Sequence, residues 1–248
     1  MLSVSNLMVF YENALAVNEL SMEVGQGEII GVIGSNSAGK TTLLNTLAGL
    51  MLDIQLKEKR KGGERITVLG EITYQGEDIS QMPAYLRARK GIVLCRERHP
   101  IFPDSTVIEN LRIAGYLKSS AQIKRGIELS MELFPALQAL TRRKAGLMSG
   151  GEQQMLAIGM ALMVEPQLLL LDEPLLGLSP AMQHKVVEAV KRIIEATGAT
   201  IVISEQFARP ILPMIHKGYV IENGMLTMTG TGPELMDNPE IKSAYFGI

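Results

Sequence analysis

The chain has 248 residues, with 24 basic against 26 acidic side chains, so a formal charge of −2 offers no global positive field to nucleic acid or acidic lipid. Hydrophobic content of 46% suits a soluble globular core, the most apolar stretch (residues 155–164) is about half a membrane span, and the first fifteen residues carry no pattern of a secretory leader. One cysteine, Cys95, precludes an internal disulfide, and with only His99, His184 and His216 beside it a structural zinc site is not expected. In chain order, residues 2–10, 15–24 and 28–33 alternate enough to predict antiparallel strands, and a helix is expected at 39–50. The charged run 57–65 (KEKRKGGER) reads as a solvated hairpin loop before a strand at 66–69. A strand at 91–94 leads to Cys95, read as inert packing, and then to a proline-marked loop at 99–104. Thr106 and Glu109 have capping-box spacing, with helices expected at 107–117 and 121–133. Beyond Gly150, helices (152–164, 181–196) alternate with strands (168–172, 200–204), which predicts a parallel sheet with helices on its faces. The unbroken leucines 168–171 fit a strand buried on both sides, and residues 218–223 and 225–228 read as a hairpin turning at Asn223-Gly224. Fifteen methionines, scattered along the chain, read as flexible core filler.

The chemistry begins at Gly34-Ser35-Asn36-Ser37-Ala38-Gly39-Lys40-Thr41, which fits G-x-x-x-x-G-K-[ST]. Glycine permits the tight backbone that turns N–H groups toward an anion, and the following helix adds the positive end of its dipole. Lys40 would neutralise the β- and γ-phosphates, and the Thr41 hydroxyl would face Mg²⁺. The strand at 168–171 then delivers Asp172 as a carboxylate partner for the metal and Glu173 to orient or deprotonate a water. No Asn-Lys-x-Asp segment is present to read guanine, while a small-molecule kinase and an ATPase both fit these two motifs.

Met148-Ser149-Gly150-Gly151-Glu152-Gln153 separates them. Ser149 and Glu152 have capping-box spacing, and two glycines leave the first N–H groups of a helix uncovered. Such a terminus suits a γ-phosphate. In this order the three motifs resemble those of ATP-binding-cassette ATPases, with 149–153 similar to that family's signature sequence, and the resemblance runs nearly end to end.

The resemblance implies an α/β fold: a RecA-like P-loop core with an antiparallel β subdomain and a short helical subdomain. It divides the chain into core at 1–97 and 151–248 and a helical subdomain at 98–150. It also implies a head-to-tail dimer in which each ATP lies between Lys40 of one subunit and Ser149 with Gly151 of the other. By the same resemblance Tyr11 stacks on adenine, Glu97 stands where most members have a glutamine near Mg²⁺, and Gln206 stands at the switch histidine. Thr42, Gly150 and Glu152 complete the nucleotide contacts. Ser179 replaces a common aspartate and, before Pro180, reads as a helix N-cap.

Residues 149–159, Glu205-Gln206, residues 218–224 and the ending 243–247 are similar to the LivF-type ATPases of branched-chain amino-acid importers. That resemblance implies an ATP-hydrolysing subunit, peripheral on the cytoplasmic face of the membrane and not inserted in it. Its partners would be transmembrane permease subunits gripped by 102–116, a second ATPase (a sister or a second copy) and, indirectly, a solute-binding receptor, with no nucleic acid. Importers of urea, amides or other small solutes, and a soluble non-transport cassette ATPase, are the alternatives. Three positions depart from the pattern: Met160 for an arginine, Ser37 for a glycine, and the longer segment 57–65. A positive φ at Ser37 would cost about 1 kcal/mol relative to glycine.

Overall fold

A computed structural model describes residues 1–97 and 100–246. His99, the first residue of the expected loop, and Gly247 of the C-terminal ending lie outside them. Strands β1 (Leu2–Tyr11) and β2 (Ala14–Val24) form an antiparallel hairpin. Next come β3 (Ile29–Ile33), α1 (Lys40–Leu47), α2 (Leu50–Lys61), β4 (Ile66–Tyr74), β5 (Glu77–Asp78), α3 (Ala84–Arg89) and β6 (Ile92–Cys95). The middle of the chain is helical, with α4 (Val107–Ala114) and α5 (Ser120–Leu133) each opened by a complete capping box, at Thr106 and Ser119. The remaining elements are α6 (Gly150–Leu162), β7 (Leu168–Asp172), α7 (Pro180–Thr197), β8 (Thr200–Glu205), β9 (Lys217–Glu222), β10 (Met225–Gly230), α8 (Gly232–Asp237) and α9 (Pro239–Ile241).

The strands make two sheets. One is antiparallel in the order β2-β1-β4-β5, and the other runs β10-β9-β3-β8-β7-β6, parallel except for the β9–β10 hairpin. Alternate side chains of the parallel strands feed two cores. Ile29, Leu169, Leu171 and Ile201 pack with α4, α6 and α7, whereas Ile30, Leu168, Leu170 and Val202 pack with α1 and the antiparallel sheet. Burial on both faces explains why β7 reads as unbroken leucine.

Three expectations are corrected. The strand at 28–33 is not part of an antiparallel set: β3 pairs parallel with β8 and β9, and all five of its residues are buried. Contiguous IIGVI, rather than alternation, was the governing signal. The helix at 39–50 breaks at Gly49, whose φ of 80° is left-handed and whose missing Cβ would meet the Ala84 backbone at 2.9 Å. Most of 57–65 is not a hairpin loop but the last turns of α2, which ends on left-handed Gly62. Lys and Glu are good helix formers, and Lys59, Arg60 and Lys61 complement the negative end of the dipole, so only residues 62–65 leave the helix.

Arg87 of α3 fixes the far end of α1. Its buried guanidinium donates to the carbonyls of Thr46, Leu47, Ile79, Ser80 and Met82, so it ties the last two carbonyls of α1 to the 79–82 segment, the first of them shared with the Gly49 N–H. Burial lowers its pKa to about 10, which leaves it charged at neutral pH.

Candidate active site

In an open parallel sheet, groups that can act together gather beyond the carboxyl ends of the strands. Here β3 opens into the loop of residues 34–39, β7 ends at Asp172 and Glu173, and β8, between them, ends at Glu205 and Gln206. β6 at the sheet's end leads to half-buried Glu97.

The loop after β3 turns tightly. Gly39 has φ 103°, and a Cβ there would lie 2.4 Å from the Ala16 carbonyl; at Gly34 it would lie 2.5 Å from that of Ile221. Ser37 does adopt a positive φ, 63°, so this serine carries the strain expected of a non-glycine residue there. Ser35, Asn36 and Ser37 are exposed. Lys40, 3% exposed, turns back beneath the loop and donates to the carbonyls of Gly34 (2.8 Å) and Ser35 (2.9 Å). It also pairs with Glu173 Oε1 at 2.9 Å. Thr41 Oγ1 donates to Asp172 Oδ1 at 3.2 Å, an oxygen that also accepts from Ser204 Oγ at 2.7 Å. Burial raises the Asp172 pKa, the hydrogen bonds from Ser204 and Thr41 oppose that, and the charges of Glu173 and Glu97 add to it. A cavity of about 500 Å³ is lined by Ala16, residues 36–42, Glu97, Glu173 and Leu176. A second, of about 620 Å³, opens between Gln26, Arg125, Gln167 and Thr200 and holds none of the expected site residues.

Other expected residues stand apart from that cavity's lining. Tyr11, half-buried at the end of β1, directs its hydroxyl to Met51 Sδ of α2 at 3.6 Å. Gln206 is half-buried just past β8. Ser149, Gly150, Gly151 and Glu152 open α6: Glu152 Oε2 accepts the Ser149 N–H at 2.8 Å, and Ser149 Oγ accepts that of Glu152 at 3.4 Å. Ser149 and Gly150 are exposed, while a Cβ on Gly151 would meet Met182 Cε of α7 at 2.4 Å. Ser179 occupies the N-cap of α7 before Pro180, as expected, although its side chain makes no cap bond. Its carbonyl already accepts the N–H groups of Met182 and Gln183.

Sequence reading missed Ser204 and Glu205. Glu173 sits at φ 45°, in the left-handed region, and its N–H donates to the Ser204 carbonyl and hydroxyl, both at 3.1 Å. Glu205, 3% exposed, accepts the Leu175 N–H at 2.8 Å. Burial pushes its carboxyl up to about 8, helped by the charges of Glu173 and Asp172 and opposed by the Leu175 N–H and Lys40. The available signal was two polar residues closing the strand TIVISE after its apolar run Ile201-Val202-Ile203. Among the described residues, no group of three or more His, Cys, Asp or Glu could hold a metal on its own.

Comparison with known proteins agrees with this geometry. The family described as ABC transporter matches residues 17–176. The chain is 38% identical over 247 residues, covering all of both chains, to the high-affinity branched-chain amino acid transport ATP-binding protein BraG of Pseudomonas aeruginosa. It is 30% identical to the probable branched-chain amino acid transport ATP-binding protein LivF of Archaeoglobus fulgidus, over 100% of this chain and 99% of that one. Among solved structures, the ADP conformation of an ATP-binding cassette of an ABC transporter superposes with a TM-score of 0.82 at 25% identity, covering 100% and 99% of the two chains.

Proposed function

Because the chain belongs to the ABC transporter ATPases, we propose that it is the ATP-hydrolysing subunit of an importer for branched-chain or related amino acids. The observation that carries this reading is the convergence, beyond the carboxyl ends of β3 and β7, of the 34–41 loop, the Lys40–Glu173 pair and the Thr41–Asp172 contact.

ATP phosphates occupy the loop, held by its backbone N–H groups, by Thr42 and by the positive end of α1. Lys40 exchanges the Glu173 carboxylate for phosphate oxygens. Glu173 is then released to take a proton from the attacking water. Thr41, Asp172 and Glu97 offer the hard oxygens that suit Mg²⁺, and the Thr41–Asp172 contact of 3.2 Å already brings two of them together. When bound, the metal supplies charge neutralisation on the phosphates. Gln206 donates an amide N–H to the γ-phosphate but cannot shuttle a proton at neutral pH, so the base role stays with Glu173. Tyr11 stacks on adenine.

The turn at Ser149, Gly150 and Gly151, exposed at its first two residues and closed by Glu152, completes the site of a neighbouring ATPase in a head-to-tail dimer, either a sister subunit or a second copy. Residues 1–97 and 151–248 form the nucleotide-binding core with its β subdomain. Residues 98–150 form the helical subdomain, whose 102–116 face docks transmembrane permease subunits. Exposed Phe102 and Tyr116 support that face as a contact. The assembly stands on the cytoplasmic side, and a solute-binding receptor delivers its cargo. Among the described residues no helix is long and apolar enough to cross a membrane.

The test is co-purification with the native permease, reconstitution in vesicles, and ATP-dependent uptake of labelled leucine, isoleucine and valine. Uptake of urea or an amide instead would overturn the cargo. ATP turnover with no membrane partner and no uptake would overturn transport itself.

A further inference from the structure

We propose that Glu205 is a positioning residue for hydrolysis: its buried carboxyl holds the 173–175 segment so that the Glu173 carboxylate is aimed at the nucleotide loop. This rests on the reading of Glu173 as the base.

The geometry is that of a hub. Glu205 closes β8, which lies between β3 and β7 in the sheet. Its own carbonyl accepts the Gly34 N–H at 3.3 Å, where the phosphate loop begins. Its side chain reaches the other way, to the Leu175 N–H at 2.8 Å. Glu173 adopts a left-handed φ of 45°, a conformation that a non-glycine residue keeps only when its surroundings over-determine it. Ser204 holds the N–H on its leading side. On the trailing side Pro174 has no N–H to give, so Leu175 supplies the first backbone donor after Glu173, and Glu205 accepts it. The segment carrying Glu173 is therefore pinned on both sides by consecutive residues of one strand, 204 and 205. Glu205 itself lines neither the cavity nor the Lys40 ammonium's hydrogen bonds, so its action passes through Glu173.

What the position requires is an acceptor oxygen at glutamate's reach. Glu205→Gln retains that oxygen, Glu205→Asp withdraws it by one methylene, and Glu205→Ala removes it. Steady-state MgATP hydrolysis by the full chain should show kcat falling about 10–100-fold in the Ala and Asp variants, with KM within about twofold, because displacing a reacting group by about 1 Å costs rate rather than binding. Glu205→Gln should hold kcat within about threefold of the parent. An MgATP-induced rise in melting temperature in each variant reports a folded, nucleotide-competent chain. If Glu205→Ala does not fold, Glu205→Asp carries the test. The proposal is overturned if Ala and Asp turn over normally, if Gln is as slow as Ala, or if KM rises while kcat stands. Glu173→Gln run alongside separates the two ideas. Normal turnover in Glu173→Gln removes the base reading and this one with it. An inactive Glu173→Gln beside a normal Glu205→Ala removes the positioning role alone.

Discussion

The phosphate loop and the signature turn are both helix starts, yet they are built in opposite ways. Around α1, Lys40, Asp172, Glu173 and Glu205 are all less than 10% exposed and bound to groups on three different strands or their loops. Around α6, the side chains of Ser149 and Glu152 each cap the other's N–H, Ser149 and Gly150 lie open, and Met182 packs beneath Gly151. The first is a cluster of buried charged side chains held together inside one chain. The second is a helix start whose first two residues stand at the surface, as the proposed completion by a neighbouring subunit requires.

Four measurements sharpen or break that contrast. The largest effect belongs to the buried side: Glu173→Gln should slow single-turnover hydrolysis about 10²–10⁴-fold while equilibrium dialysis still finds ATP bound. Near-normal rates there would remove Glu173 from the chemistry. On the presented side, Gly151→Leu drives carbon into Met182 and should tilt the turn, lowering hydrolysis by about 10²-fold with ATP affinity preserved. An equal loss of affinity would mean that the two halves are not separable.

The third effect is on stability. Glu205 holds its proton to about pH 8 in the folded chain, against an ordinary value of 4.5, so the folded state binds more protons across that window. Its contribution is complete below about pH 4.5 and is lost as pH rises through 8. Nucleotide-free protein should therefore lose on the order of 1 kcal/mol per pH unit from this group across the window, and Glu205→Gln should flatten that part of a urea-denaturation profile. A profile unchanged by the substitution would show the carboxyl to be ordinary. The smallest effect is Ser149→Ala, which removes one cap and should lower stability by about 1 kcal/mol, read as a shift of about 2–4 °C in melting temperature.

Legibility in the sequence depends on the range of the interaction. The 34–41 loop, the leucine strand ending in Asp172-Glu173 and the capped start of α6 are contiguous segments whose residue order alone carries the chemistry, and all three fold as expected. The Glu205–Leu175 bond spans thirty positions, and the Tyr11–Met51 contact forty, so nothing local announces either. Elsewhere the local signal was ambiguous. A charged run suits a loop tip as well as the exposed end of α2, and the four apolar side chains around Gly31 in β3 fit burial on two faces better than the neighbouring alternation.

Arg87 has an electrical consequence. The helix whose first residue is Lys40 carries a dipole, and a guanidinium sits against its negative pole, at the carbonyls of Thr46 and Leu47. That cation is sealed from solvent, so counter-ions that weaken exposed pairs such as Lys191–Glu188 scarcely reach it. The field at the opposite pole, where Lys40 begins the helix, thus includes a share that ionic strength leaves almost untouched. Lysine could not take over the post, since one ammonium has three N–H groups to offer where five carbonyls are waiting.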